Sequence, residues 1–164
     1  MAIICIKKNK MVRILMVNKM NEDIELLTHI YKNAQMGEYT TSTLINRIKN
    51  KENKIKPILE KEIKKYEDFV KRSKKILKSL DSVPKGGNSM AKISSTIGIT
   101  VETLKDNSDS ALAQMLVEGM TMGVVSTATK ISQYIKVSDR KVIKLARSFQ
   151  KFQEEEIELL KAYM

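Results

Sequence analysis

Apolar residues recur at steps of three and four over most of this chain, which is the spacing of one face of an α-helix. The first such face, in a helix that we expect to begin at Asn21, consists of Leu27, Ile30, Ala34, Gly37, Thr41, Leu44 and Ile48. A polar turn at residues 50–53 follows, and the second face consists of Ile55, Leu59, Tyr66, Phe69, Ile76, Leu77 and Leu80. Because the turn is short, the pattern predicts two antiparallel helices, a helical hairpin.

The segment Asp81–Asn88 holds Pro84, Gly86 and Gly87 and is the clearest break in the pattern. Residues 89–105 predict a short helix after it. A long helix then begins after Ser108 or Asp109, and the last helix opens at Ser138, since these residue types favour the N-cap. The two apolar faces are Leu112, Met115, Leu116, Gly119, Met122, Val125, Ala128 and Ile131, then Val142, Leu145, Ala146, Phe149, Phe152, Ile157 and Leu160.

The two predicted hairpins resemble each other. Met36-Gly37 and Met122-Gly123 lie at matching places, and each precedes a segment rich in Thr and Ser. In this order of helices and in its mid-helix pattern, the segment 21–163 resembles the ferritin-like superfamily, above all the small ferritin-like proteins of low-GC bacteria. The resemblance implies an all-α four-helix bundle of two antiparallel hairpins, joined by a long crossover that carries a short extra helix.

The resemblance also names candidate metal ligands. Iron-binding ferritin-like proteins take a Glu from the first helix of each hairpin and a Glu-x-x-His from the second. The matching carboxylates here are Glu38, Glu62, Glu118 and Glu155. No Glu-x-x-His occurs, because the one histidine, His29, lies near the start of the first helix. In the register of the repeat Glu38 matches Val124, whereas a duplicated site should keep its ligands, so we expect no metal cofactor.

Composition indicates a cellular compartment and a domain boundary. A single cysteine suits a reducing cytoplasm, and no apolar segment is long enough to span a bilayer. Five of the positive charges behind the net charge of +11 lie in the first nineteen residues, which contain no acid. Met20 is followed by Asn-Glu-Asp, a good helix start. We therefore interpret residues 1–19 as an N-terminal extension and residues 20–164 as one helical bundle domain.

Two charged segments are interpreted as solvent-exposed surface rather than as binding sites. Residues 47–78 contain thirteen Lys or Arg and five Asp or Glu, an excess that a polyanion would complement. Acids are interspersed and no base-stacking motif accompanies the lysines, so we interpret this segment as a solvated face. The cluster Gln153–Glu156 is interpreted as a solvated acidic stripe, and Glu25 and His29, four residues apart, as a side-chain pair on one helix.

Catalytic patterns are absent from the sequence: there is no P-loop, no Gly-x-Ser-x-Gly and no cysteine pair. The glycines Gly37, Gly119 and Gly123 weaken their helices, which predicts close approach of the first and third long helices or, alternatively, a small central ligand pocket. Four methionines near these glycines are interpreted as core residues, the alternative being a soft-metal or adaptable binding surface: Met36, Met115, Met120 and Met122.

We therefore expect a cytoplasmic, non-enzymatic structural or interaction module of ferritin-like fold. It should bind no cofactor, not insert into a membrane, and meet a protein partner or a second copy of itself, with no role in nucleic-acid binding. Two alternatives remain open. One is a carboxylate-only iron or manganese site at Glu38, Glu62, Glu118 and Glu155, and the other is weak polyanion binding through the second helix.

Overall fold

The computed structural model describes residues 2–83, 91, 95, 98, 101 and 104–164, and the side chains from residue 16 onward. Its helices are α1 (Ala2–Arg47), α2 (Lys56–Ser79), α3 (Asp109–Tyr134) and α4 (Arg140–Lys161). Helix α1 packs on α2, and α3 packs on α4. The predicted all-α bundle of two hairpins with a long crossover is thus confirmed. Most of the predicted short helix at 89–105 lies outside the described residues.

The helix ends follow local chemistry, with one correction. The Oγ of Ser108 accepts the N–H of Ala111 at the start of α3, and the carboxylate of Asp139 accepts the N–H of Lys141 at the start of α4. The predicted helix start at Asn21 is wrong, because α1 is continuous from Ala2. No Gly or Pro precedes Gly37, so nothing in the sequence interrupts that helix. Asp23 is buried and accepts the N–H of Asp139 instead.

Contacts between the hairpins set their directions. At one end of the bundle, Lys130 of α3 pairs with Glu25 of α1, and at the other Arg47 of α1 donates to Asn107, just before α3. Helices α1 and α3 are therefore antiparallel. Helices α2 and α4 are antiparallel too, since successive aromatic residues of α2 meet successive ones of α4 in reverse order. Relative to α1, the four helices run up, down, down and up.

The predicted apolar faces of α1, α2 and α4 form the core, whereas that of α3 is wrong in part. Met122 and Val125, predicted as core, are 71% and 61% exposed. The buried residues of α3 are Leu112, Ala113, Leu116, Met120, Gly123, Thr127 and Ile131. Helix α3 carries apolar residues around most of its circumference, so periodicity alone does not select the side that faces the core.

Within the described part of the chain, no helix combines the length and the apolarity that crossing a membrane requires.

Candidate functional site

The α2–α4 side of the bundle is closed by four aromatic rings. Tyr66 and Phe152 meet edge to face with ring centroids 4.9 Å apart, and Phe69 meets Phe149 in the same way at 5.1 Å. All four rings are at most 6% exposed. Aromatic pairs in this geometry add to the free energy gained by burial, so this cluster stabilises the contact between α2 and α4.

A cavity of about 460 Å³ lies in the middle of the bundle, beside that aromatic cluster. It opens where Glu118, Gly119 and Met122 of α3 are exposed. Residues of all four helices line it, among them Met36, Gly37, Glu62, Tyr66, Met115, Met120, Gly123 and Gln153. The cavity therefore belongs to the whole bundle rather than to one hairpin.

The interior glycines explain the shape of this cavity. A Cβ at Gly37 would overlap the ring of Tyr66, and one at Gly123 would lie 2.5 Å from Nε2 of Gln153. These two glycines make room for side chains of the neighbouring helix in the same hairpin. The prediction that these two glycines allow the backbones of α1 and α3 to approach closely is therefore wrong. A Cβ at Gly119 would have no described atom within 4 Å, so this glycine leaves the mouth of the cavity free.

Two buried side chains on the cavity wall each have one oxygen without a hydrogen-bond partner among the described residues. Glu62 is fully buried; its Oε1 accepts the hydroxyl of Thr41 at 2.8 Å. Its Oε2 has no partner among the described residues, nor has Oε1 of Gln153, which is 4% exposed. Buried polar atoms in native proteins nearly always have a partner. The two orphaned oxygens are therefore the most informative chemical feature of the wall.

Burial raises the pKa of Glu62 to about 8, with the carboxylate of Glu156 adding to the rise and the Thr41 hydroxyl and Lys65 opposing it. Burial also raises the pKa of Tyr66 well above its ordinary value. At neutral pH Glu62 is therefore mainly a carboxylic acid and Tyr66 a neutral phenol. Because Oε1 of Glu62 accepts from Thr41, the proton belongs on Oε2, the oxygen without a partner.

Glu156, next to this site, is 1% exposed and forms an ion pair with Lys65 of α2. The prediction of a solvated stripe at Gln153–Glu156 is therefore wrong for both of its end residues. The apolar period of α4 already contained the signal, because Phe149, Phe152 and Glu156 follow at steps of three and four. Leu59, Glu62 and Tyr66 follow the same steps on α2.

The four candidate metal ligands lie in different environments. Glu62 is buried, whereas Glu118 is exposed and accepts from Gln114 at 3.1 Å. Glu155 is exposed and lies 3.6 Å from Lys151. Glu38 is half-buried, and burial together with the carboxylate of Glu67 raises its pKa. In the part of the chain that the structure describes, no three His, Cys, Asp or Glu side chains form a group that could hold a metal ion.

His29 lies at the contact between α1 and α3, where its role is structural. Its Nε2 lies 3.1 Å from Oγ1 of Thr127, while Glu25 pairs with Lys130. The predicted Glu25–His29 pair is therefore replaced by contacts between helices. Burial lowers the pKa of His29, which keeps the imidazole neutral. Thr127 matches Thr41 in the register of the repeat, and both threonines are fully buried.

Basic residues form two surfaces. On α2 the exposed lysines are interrupted by acids, since Asp68 binds Arg72 at 3.1 Å and Glu67 lies 3.8 Å from Lys71. On α4 a surface groove of about 450 Å³ is lined by Ile135, Ser138, Arg140, Ile143, Lys144, Arg147, Ser148 and Lys151. No Asp or Glu occurs among those described lining residues, so the groove on α4 is the more uniformly cationic of the two surfaces.

Comparison with protein-family models, with curated proteins and with solved structures gave no match to this chain. Fold and site together define an all-α four-helix bundle of two hairpins with a cavity at its centre.

Proposed function

We propose that this protein is a non-enzymatic binding module that holds a small, largely apolar molecule in its central cavity. The observation that carries the proposal is a pair of buried oxygens on the wall of a cavity of about 460 Å³. Neither Oε2 of Glu62 nor Oε1 of Gln153 has a partner in the described part of the chain. Ligand cavities typically measure roughly 300 to 1,000 Å³ and combine apolar walls with a few polar groups. A bound molecule would supply the missing partners.

The rest of the wall supports this proposal. Met36, Met115, Met120 and Met122 line the cavity, and methionine side chains adapt easily to the shape of a ligand. We propose no catalytic role, because the buried polar side chains among the described residues of the cavity wall are a hydroxyl, a carboxylic acid, a phenol and an amide at neutral pH, those of Thr41, Glu62, Tyr66 and Gln153. None of these is an activated nucleophile.

We further propose that the bundle is ferritin-like without a metal centre. The up, down, down, up order and the long crossover support the kinship. Glu62-x-x-Lys65 on α2 has the spacing of the Glu-x-x-His motif, but a lysine stands in the place of the histidine. Its ammonium group pairs with Glu156 and so balances a buried carboxylate, as a metal ion would. These residues do not fit a pair of metal ions.

Calorimetric titration of 1-octanol into the protein tests the binding proposal. We expect binding by the wild type and a loss of about tenfold or more in affinity in Gly119→Phe, whose ring would occupy the mouth. Ser132→Phe adds the same ring to an exposed position of α3 that does not line the cavity, and it should bind as the wild type does. Absence of binding by the wild type, or equal binding by all three proteins, would reject the proposal.

A second candidate function rests on the groove of α4. Arg140, Lys144, Arg147 and Lys151 line it, an arrangement that suits a polyanion. This moves the polyanion alternative from α2 to α4. Fluorescence anisotropy with a labelled single-stranded oligonucleotide should show binding that weakens steeply as salt rises. Arg147→Glu should weaken it more than Lys75→Glu on α2. The opposite order would return the site to α2, and no binding by the wild type would exclude both surfaces.

A further inference from the structure

We propose that the cavity selects an apolar molecule whose head group is uncharged and both accepts and donates a hydrogen bond, as a primary carboxamide does. This inference rests on the proposed binding function and names the class of its ligand. It depends on the chemical character of the two orphaned groups, Glu62 and Gln153, which come from different helices, α2 and α4.

Glu62 presents a donor to the cavity. Thr41 donates to its Oε1 at 2.8 Å, which leaves Oε2 as the hydroxyl oxygen of the neutral acid. No described atom accepts from that hydroxyl. A buried donor left without a partner costs free energy, so a ligand carbonyl oxygen placed there would remove the cost.

Gln153 presents an acceptor. Its side chain lies beside Tyr66 and opposes the rise in the pKa of that hydroxyl. Gln153 lines the cavity, and its Oε1 has no partner among the described residues. Glu62 and Gln153 do not hydrogen-bond to each other. A head group that satisfies both therefore needs to accept one hydrogen bond and donate another, which a primary carboxamide does.

The charges near Glu62 argue against a charged head group at neutral pH. The titratable groups that act on it are Lys65 and Tyr66 of α2 and Glu156 of α4. The charges of Lys65 and Glu156 are already paired with each other, and Tyr66 is neutral. An anionic head group would face the carbonyl of Gln153, and no cation among the described lining residues would balance its charge. A cationic one would need Glu62 to be ionised.

Calorimetry with ligands that share one alkyl chain tests this inference. At pH about 7, below the pKa of about 8 at Glu62, we expect octanamide to bind about tenfold tighter than octanoate or methyl octanoate, which accepts but cannot donate. At pH about 9 octanamide should weaken, while octylamine should bind more tightly than at pH about 7.

Two variants assign the preference to its residues. Glu62→Gln keeps a neutral donor at every pH, so its affinity for octanamide should no longer depend on pH. Gln153→Met removes the acceptor, so octanamide and methyl octanoate should bind it equally well. If the wild type binds the amide and the ester equally, the inference fails while the binding proposal stands. If it binds neither these compounds nor 1-octanol, both fail.

Discussion

The two long sides of this bundle are built from different kinds of side chain. Where α2 meets α4, the rings of Tyr66, Phe69, Phe149 and Phe152 fill the space and contact one another. Where α1 faces α3, glycines and methionines of these two helices border the central cavity of about 460 Å³, which Glu62 and Tyr66 of α2 and Gln153 of α4 also line. The first side thus resembles an ordinary packed core, and the second leaves space that its own side chains do not fill.

This difference separates stability from binding within one small bundle. Close-packed rings hold their rotamers and tolerate few changes, so the aromatic side stabilises the arrangement of the two hairpins. Gly37, Gly119 and Gly123 each cost helix stability, by about 1 kcal/mol relative to alanine. All three glycines lie near the central cavity, and the space that each leaves explains the loss of helix stability. Gly37 leaves room for Tyr66, Gly123 for Gln153, and Gly119 for the mouth of the cavity.

The largest expected effect on the free energy of unfolding comes from a comparison of two alanine variants, one from each side of the bundle. Phe149 is fully buried in the aromatic cluster, so Phe149→Ala should lower the free energy of unfolding by about 3–5 kcal/mol. Met120→Ala should lower it by less than half as much, because Met120 already borders empty space. Urea denaturation measures both values. Equal losses would show that the cavity side is packed as densely as the aromatic side.

The largest effect of pH on stability should come from Glu62. Its pKa rises from 4.5 in the unfolded chain to about 8 in the fold, so the folded state retains a proton that the unfolded state loses. The free energy of unfolding should therefore fall as pH rises between these two values, by an amount on the order of a few kcal/mol at about 1.4 kcal/mol per pKa unit. Glu62→Gln should remove that decline.

The exposed Glu118 supplies the control for this titration. Glu118→Gln should leave both the stability and its dependence on pH as in the wild type, since surface substitutions usually change stability by about 0.5 kcal/mol or less. Parallel pH profiles for the wild type and Glu62→Gln would contradict a buried, neutral Glu62.

Alanine at the three glycines should give three different results. Gly37→Ala should destabilise by about 1–3 kcal/mol, because Tyr66 is held in the aromatic cluster and cannot move aside. Gly123→Ala should cost less, since the clash falls on the end of the flexible Gln153 side chain. Gly119→Ala should stabilise by about 1 kcal/mol. Thermal or urea unfolding ranks them, and destabilisation by Gly119→Ala would mean that the mouth is not free.

The smallest effect concerns the N-terminal part of α1. Met16, Val17 and Met20 are exposed and belong to neither side of the bundle. A chain that begins at Met20 should therefore unfold within a few degrees of the full chain when melting is followed by circular dichroism. A drop of more than about 8 °C, which would correspond to about 2 kcal/mol or more in a domain of this size, would show that the preceding residues pack against the bundle.

Much of the fold was predictable because three of the four helices carry one clear apolar face and because Pro84, Gly86 and Gly87 mark the crossover. The side of α3 that faces the core was not predictable, since Met122 and Val125 are as apolar as the residues that are buried. The start of α1 was misplaced because Glu22 and Asp23 resemble a helix N-terminus, whereas Asp23 binds the start of α4.

The site was predictable only in part. A central pocket was one of two explanations for the glycines, and Glu62 was one of four candidate carboxylates. Gln153, the other orphaned group, and the neighbouring Glu156 were interpreted as solvent-facing. They lie in a run of polar residues, which makes the apolar period of α4 hard to recognise. Which polar atoms lack a partner depends on contacts between helices, such as Thr41 with Glu62, and no pattern within one helix contains that information.

The central claim, that the cavity binds a small molecule, is tested most directly by nuclear magnetic resonance of the methionine methyl groups. Met36, Met115, Met120 and Met122 line the cavity, while Met16, Met20 and Met164 are exposed and do not line it. Addition of octanamide should shift the first set of signals in a saturable manner and leave the second unchanged. Signals that stay in place, or that shift equally in both sets, would contradict the account.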